Sequence, residues 1–187
     1  MYRPSFEDRL RRHFGPGNSS DDPSWYALRN TIYAFGCRTI LSKDPHVTFK
    51  QAQAQAWQYF ENALEAHTNL LFTPTGLTAV QALTVMVCPG HALRVLTLIK
   101  NQSFFAEGLG SPALEYMLCS NAVRLAQSKG LHRQPSASWK MRKSDILHRN
   151  WLWWAIYCCD KQIACRCGRP SVRFVCAFCV PHSSSVT

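Results

Sequence analysis

The sequence lacks an apolar run long enough to cross a bilayer, and it lacks an apolar stretch at its start. The longest uninterrupted apolar run covers 151–159, well short of the roughly 20 residues that a membrane-spanning helix needs. Glu7, Asp8 and Arg9 stand where a secretory signal would carry its apolar segment. These absences indicate that the apolar segments are buried in the interior of a soluble protein.

Acidic residues are also scarce, with 11 Asp and Glu against 21 Lys and Arg, so the formal net charge of the 187 residues is +10. A basic excess of this size fits nucleic acid, an anionic surface or an ordinary solvated exterior. The densest basic run, 129–149, has no base-reading motif beside it. With 47% hydrophobic residues and a mean hydropathy of −0.17, the chain is expected to form one globular domain.

Signatures of catalysis are missing from the sequence. Gly108-x-Gly110 is followed by Ser-Pro, and not by the Lys-Ser/Thr pair of a phosphate-binding loop. There is no nucleophile elbow, and Asp160 has no second acid or base that its surroundings identify as a catalytic partner. We therefore expect no catalytic residues and a protein that is not an enzyme.

Cysteines are plentiful, and their spacing raises the question of a metal site. Cys165-x-Cys167 and Cys176-x-x-Cys179 could together supply four thiolates to zinc. The first pair lies at the end of a helix dominated by packing residues, and the second lies in a tail without regular periodicity. We expect no metal site in this chain.

Helix start signals recur along the chain, and no alternating strand pattern competes with them. Each combines a capping side chain with a proline or a glutamine at the start of an apolar periodicity. The four signals are Asp22–Pro23, Thr48 with Gln51, Thr73–Pro74 and Ser111–Pro112. Gly130 ends the helix that follows the last of them. The predicted fold is all-α, an irregular multi-helix bundle that is incomplete at its C-terminus.

The last predicted helix, 144–165, is apolar nearly all round its middle, and such a helix is typical of the centre of a bundle. Its aromatic residues could line a small-molecule pocket, but at helical spacing they are expected to lie in the core. These aromatic residues are Trp151, Trp153, Trp154 and Tyr157.

Two segments depart from the helical pattern. In 87–102, Cys88-Pro89-Gly90 interrupts an apolar helix, because proline removes a backbone donor. The segment 172–187 has no helical periodicity. Both begin with valine, whose codons start with GT, so we interpret them as translated introns, with genuine loops as the alternative. The predicted organisation is a partial domain at 1–171, with 87–102 as a doubtful insertion and 172–187 as an irregular tail.

Several motifs occur in a recognisable order: Arg3–Phe6, Pro23–Trp25, a helix ending in Gly130–Arg133, a tryptophan-rich helix, and Gly168–Ser171. In this order the chain resembles the fungal-specific transcription factor domain, the middle homology or xylanolytic-activator regulatory region of fungal zinc-cluster transcription factors. The residues that match its signature, expected to be structural, are Arg124, Leu125, Ala126, Gly130, Leu131, His132, Arg133, Arg149, Trp153, Trp154, Asp160, Gly168, Arg169, Pro170 and Ser171.

The resemblance implies a non-enzymatic nuclear domain that regulates DNA-templated transcription. It implies DNA contact and zinc only through an N-terminal six-cysteine module, which is missing here because the first cysteine is Cys37. It also implies co-regulators or a small-molecule effector as partners, with no cofactor in this chain and no membrane. The alternative is a helical small-molecule-binding or thiol- or metal-responsive module outside transcription.

Three physical expectations concern the signature residues themselves. Gly130 should adopt the left-handed backbone that a side chain disfavours. His132 and Arg133 are expected to cap the carbonyls of the helix before them, with an anion or effector contact as the alternative. The charges at the apolar helix should pair with one another, because unpaired charges there are costly. These charges belong to Arg149, Asp160 and Arg169.

Overall fold

The computed structural model describes residues 3–15, 22–72, 76–87 and 112–172. The α-helices in these ranges are α1 (Arg3–His13), α2 (Pro23–Leu41), α3 (Phe49–Glu65), α4 (His67–Phe72), α5 (Leu77–Val87), α6 (Pro112–Ser128) and α7 (Lys143–Cys167). A short 3-10 helix, Ala137–Trp139, precedes α7. No strand occurs in the described ranges, and the all-α prediction is confirmed.

The first two predicted helix starts are confirmed in atomic detail. The Asp22 carboxylate accepts a hydrogen bond of 3.1 Å from the Ser24 backbone N–H. At α3, the Gln51 N–H donates to the Thr48 hydroxyl at 3.3 Å, and the Thr48 N–H donates to the Gln51 side chain at 2.9 Å. Both caps satisfy amides that the first turn of a helix leaves without intrahelical partners.

Other sequence predictions fall on residues outside the described ranges. Thr73, Pro74 and Ser111 are among them, as are 88–102 and 173–187. The interpretation of the two irregular segments as translated introns therefore stays a prediction. The sequence had not indicated α1 or the six-residue α4, which follows α3 after Ala66.

Helix α5 links two pairs of packed helices. Helix α2 packs against α3 and α5, while α5 also packs against α6 and α7, which contact each other. From Ala82 to Val87 every residue of α5 is buried, because α5 packs against three other helices. The core joins these elements through Phe60, Leu83, Met86 and Trp153, all of them fully buried.

The expectation that the tryptophan-rich helix is buried all round is wrong. Along α7, Trp153 is 0% exposed and Ile156 is buried, but Trp151 is 72% exposed and Trp154 is 39% exposed. Residues two apart in a helix lie on nearly opposite faces, because each residue advances by about 100°. The helix surrounded by apolar neighbours is instead α5, and α7 packs against it with one face.

Candidate functional site

Several of the signature residues lie at two glycine turns. One turn leads from α6 towards α7, and the other follows α7. The first turn comes directly after α6. Gly130 has a φ of +67°, which confirms the predicted left-handed conformation. The Leu131 N–H donates to the Ala126 carbonyl at 3.0 Å, and the Leu131 side chain is buried. This pattern satisfies a carbonyl of the last helical turn and fixes the direction in which the chain leaves α6.

Arg149, in the second turn of α7, holds this glycine turn from the neighbouring helix. Its Nη2 donates to the Gly130 carbonyl at 3.2 Å and to the Lys129 carbonyl at 3.4 Å. The side chain is buried, so the guanidinium gives up water and gains the carbonyls at the negative end of the α6 dipole. The prediction that His132 and Arg133 cap these carbonyls is therefore wrong about the capping residue.

His132 contacts the aromatic core instead. Its ring centroid lies 5.9 Å from that of Trp153, and the Arg133 Nε donates to its Nε2 at 3.1 Å. Burial lowers the pKa of His132, and the neighbouring Arg133 lowers it further. The His132 ring, tilted by 54° against Trp153, anchors the loop to the core, and its lowered pKa disfavours the charged form that an anion would need.

The second glycine turn ends α7 and is held by α6. Gly168 has a φ of +62°, and the Arg169 N–H donates to the Ala164 carbonyl at 3.1 Å. The Tyr116 hydroxyl of α6 donates to the Pro170 carbonyl at 3.1 Å. The Arg169 guanidinium lies 5.0 Å from the centroid of the Tyr116 ring, a cation–π contact. The turn after α6 is thus held by α7, and the turn after α7 is held by α6.

Asp160 ties the chain after this turn back onto α7. The Val172 N–H donates to its Oδ1 at 3.4 Å, and the Lys161 Nζ lies 3.9 Å from its Oδ2. The same Lys161 ammonium donates to the Ser171 hydroxyl at 2.7 Å. Burial raises the pKa of the Asp160 carboxyl, and the Val172 hydrogen bond and the Lys161 charge offset part of that rise.

The expected pairing among Arg149, Asp160 and Arg169 is wrong. Arg149 bonds backbone carbonyls, Asp160 contacts Lys161 and Val172, and Arg169 lies over an aromatic ring. An ion pair that sequence reasoning missed joins α6 to α7, between the buried Glu115 and Arg166. Its sequence signal was an acid in the first turn of α6 on the otherwise apolar side of that helix.

The rest of the signature takes ordinary packing positions. Ala126 is buried, Leu125 is half-buried and Arg124 is exposed. Arg124 and Leu125 line a shallow groove of about 210 Å³. A larger apolar groove of about 430 Å³ lies between α2 and α3 and includes the rings of Tyr33 and Tyr59. No aromatic side chain of α7 lines either groove. The predicted core position is confirmed for Trp153, which is buried, but not for Trp151 and Trp154, which are exposed.

Within the described ranges, no group of three or more His, Cys, Asp or Glu side chains could hold a metal ion. Cys176 and Cys179 lie outside those ranges. Among the described residues, Cys37, Cys119, Cys158, Cys165 and Cys167 carry free thiols. Burial raises the pKa of Cys119 to about 12, so this thiol is unreactive at neutral pH.

Among the described helices, none combines the length and the apolar character needed to span a bilayer. The buried charges of α6 and α7 have partners: Arg149 donates to a backbone carbonyl, Asp160 lies near Lys161, and Glu115 pairs with Arg166. The two glycine turns, each bonded by the neighbouring helix, fix α6 and α7 against each other.

Comparison with known proteins places this arrangement in a family context. Residues 1–177 match the family described as the fungal specific transcription factor domain. The chain is 29% identical over 174 residues to an ABC-transporter-regulating transcription factor of Aspergillus oryzae, an alignment that covers 91% of this chain and 17% of that protein. It is 28% identical over 176 residues to a transcription factor of the same description from Aspergillus fumigatus, covering 92% of this chain and 17% of that protein.

A third relative is the Fusaridione A cluster transcription factor of Fusarium heterosporum, 28% identical over 153 residues, or 80% of this chain and 25% of that protein. The chain therefore spans between about a sixth and a quarter of the length of these curated relatives. No solved structure matches the chain.

Proposed function

The chain belongs to the fungal specific transcription factor domain family, and on this premise we propose that it acts as part of the regulatory region of a fungal transcription factor. The observation that carries the proposal is the family match over 1–177, together with relatives that are named as transcription factors. The domain works in the nucleus and modulates transcription without catalysing a reaction.

We further propose that this chain takes no cofactor and does not read DNA sequence itself. DNA contact and zinc belong to a zinc-cluster module of the longer factor. The positive charge of the chain then acts in partner binding and in non-specific attraction to polyanions. This division of labour is supported by the chain spanning only between about a sixth and a quarter of relatives that are named as transcription factors.

The proposal is tested by fusing the full chain to a heterologous DNA-binding domain and activation domain in a fungal reporter strain. We expect the fusion to enter the nucleus and to change reporter output several-fold relative to the same fusion without the chain. The matched control carries Trp153→Ala, which removes the buried centre of α7 and should restore the output of the fusion without the chain.

Equal output with and without a folded, nuclear chain would contradict a regulatory role.

A gel-shift assay with random and candidate promoter duplexes tests the proposal that this chain does not read DNA sequence itself. We expect only weak binding that disappears at raised salt and shows no sequence preference. Tight binding of one duplex by this chain alone would overturn the assignment of DNA reading to another module.

A further inference from the structure

The exposed face of α7 carries large apolar side chains at regular spacing. Leu147, Trp151, Trp154 and Cys158 follow one another at steps of four, three and four residues, so they lie along one line of the helix. Leu147 is 58% exposed and Trp151 is 72% exposed. These four residues are called the α7 stripe.

The helix that carries the stripe is firmly seated. On its opposite face Trp153 and Ile156 are buried in the core. Arg149 bonds the turn after α6, and Arg166 pairs with the buried Glu115. The stripe is therefore presented on a fixed helix, and its exposure follows from the seating of the opposite face.

The exposed area of the stripe is close to that of the largest apolar patch on a typical monomer, and such patches are often functional. With exposures of 72% for Trp151 and 39% for Trp154, the two indoles alone leave roughly 280 Å² in water. Leu147 and Cys158 extend this patch along the helix. Contiguous apolar patches of about 300–600 Å² on monomers are often binding sites, and tryptophan is the residue most enriched where binding energy concentrates.

Positive charge surrounds the start of the same helix. Lys140, Arg142 and Lys143 fall within four consecutive residues, and Asp145 offsets one of these charges through its bond to Arg142. The N-cap of α7 is Arg142, which makes no capping bond with its side chain. Cations at a helix N-terminus oppose the helix dipole, so an incoming acidic group would relieve an unfavourable arrangement.

From these observations we propose that the α7 stripe docks an acidic amphipathic helix of another protein. Spacings of four and three residues are those of a helix–helix seam, in which apolar side chains interdigitate. Carboxylates flanking the partner's apolar face would meet Lys140 and Lys143. A second copy of the chain fits less well, because each copy has a formal charge of +10 and brings the same cations to the seam.

The inference gives the proposed regulatory domain a class of partner, and its biological meaning rests on that proposed function. The binding itself does not depend on it. Binding is measured with purified full-length chain, whereas the regulatory role is measured with the reporter fusion. Loss of one result therefore leaves the other intact, and the two failures are distinguishable.

The probe is a synthetic, fluorescein-labelled peptide of about three heptads, with leucine at positions a and d and glutamate at e and g. We expect saturable binding by fluorescence anisotropy, weakening as the salt concentration rises from about 50 to about 300 mM. A peptide with lysine in place of each glutamate is the control for charge, and it should bind at least about tenfold more weakly.

Two variants of the chain test the two parts of the surface. Trp151→Gln should weaken binding of the glutamate peptide by about tenfold or more. The matched control is Phe72→Gln on α4, which removes an aromatic residue of similar exposure, 81% against 72% for Trp151, and should leave binding unchanged. The double charge reversal Lys140→Glu and Lys143→Glu should reverse the preference, so that the lysine peptide binds better.

Three outcomes would overturn the proposal. The first is no binding of the glutamate peptide up to about 1 mM, with circular dichroism confirming that the chain is folded. The second is equal binding of both peptides, which would remove the role of charge. The third is self-association of the chain in sedimentation experiments that Trp151→Gln abolishes, because a second copy would then cover the α7 stripe.

Discussion

Two tryptophans of α7, two residues apart, should respond very differently to truncation. Trp153 is fully buried, and replacing it with alanine removes all of its apolar contacts and leaves a cavity. Buried tryptophan-to-alanine changes cost about 3–5 kcal/mol of unfolding free energy. That is a large part of the roughly 5–15 kcal/mol by which a domain of this kind is stable.

Trp151→Ala should cost much less, because only a little over a quarter of this side chain is covered. The covered part amounts to roughly 70 Å², worth at most about 1.7 kcal/mol at the usual apolar coefficient. Alanine also has the higher helix propensity, which returns about 0.5 kcal/mol. The net loss should therefore be about 1 kcal/mol or less.

The assay is urea unfolding of both variants and the parent chain, followed by far-ultraviolet circular dichroism. If Trp153→Ala does not fold, Trp153→Phe provides the measurement, with an expected loss of about 1–2 kcal/mol. Equal losses for Trp151→Ala and Trp153→Ala would mean that Trp151 is also buried. That result would refute the orientation of α7 described here and remove the basis of the docking surface.

Further predictions concern the turn after α6, a glycine in α2 and the histidines. Arg149→Met should lower the unfolding free energy by about 2–4 kcal/mol, because two carbonyls lose a charged donor, whereas Met in place of the exposed Arg142 should change it by less than about 1 kcal/mol. Gly130→Ala should lower the unfolding free energy by about 1–2 kcal/mol, because the φ of Gly130 is +67°. Gly36→Ala within α2, where an added Cβ meets nothing within 4 Å, should raise it by about 0.5–1 kcal/mol. Denaturant melts in which both changes have the same sign would contradict this prediction. Burial lowers the pKa values of His67, His132 and His148 below the ordinary 6.5, so around that pH the unfolded chain binds protons that the folded chain does not. The free energy of unfolding should fall as pH drops from about 7.5 to about 5.5, and His67→Gln should make that slope smaller without abolishing it.

Local sequence signals predicted those parts of the fold and of the site that depend on residues close together in the chain. Asp22 and Thr48 cap their own helices, so their role depends on residues within one turn. Gly130 adopts a positive φ for the same local reason. Residues of this kind can be read without knowledge of the partner helix, because the groups that they satisfy are close in the chain.

The contacts that hold the two glycine turns could not be predicted in the same way. Arg149 reaches carbonyls 19 and 20 residues earlier in the chain, and Tyr116 bonds a carbonyl 54 residues later. His132 and Arg133 were nearer in sequence to the same carbonyls, but the packing of α7 against α6 brings Arg149 closer in space. Proximity in the chain was therefore a poor guide to the capping residue.

By itself the sequence determined that the chain is helical, where α2 and α3 begin, and which motifs align with the fungal family. Capping and periodicity depend on residues that are close together in the chain, so a window of about ten residues is enough to recognise them. Only the tertiary structure decided that α5 is surrounded by apolar neighbours and that α7 buries Trp153 while exposing Trp151. An apolar helix can bury only the face that meets a neighbour, and the position of that neighbour depends on how all the helices pack together.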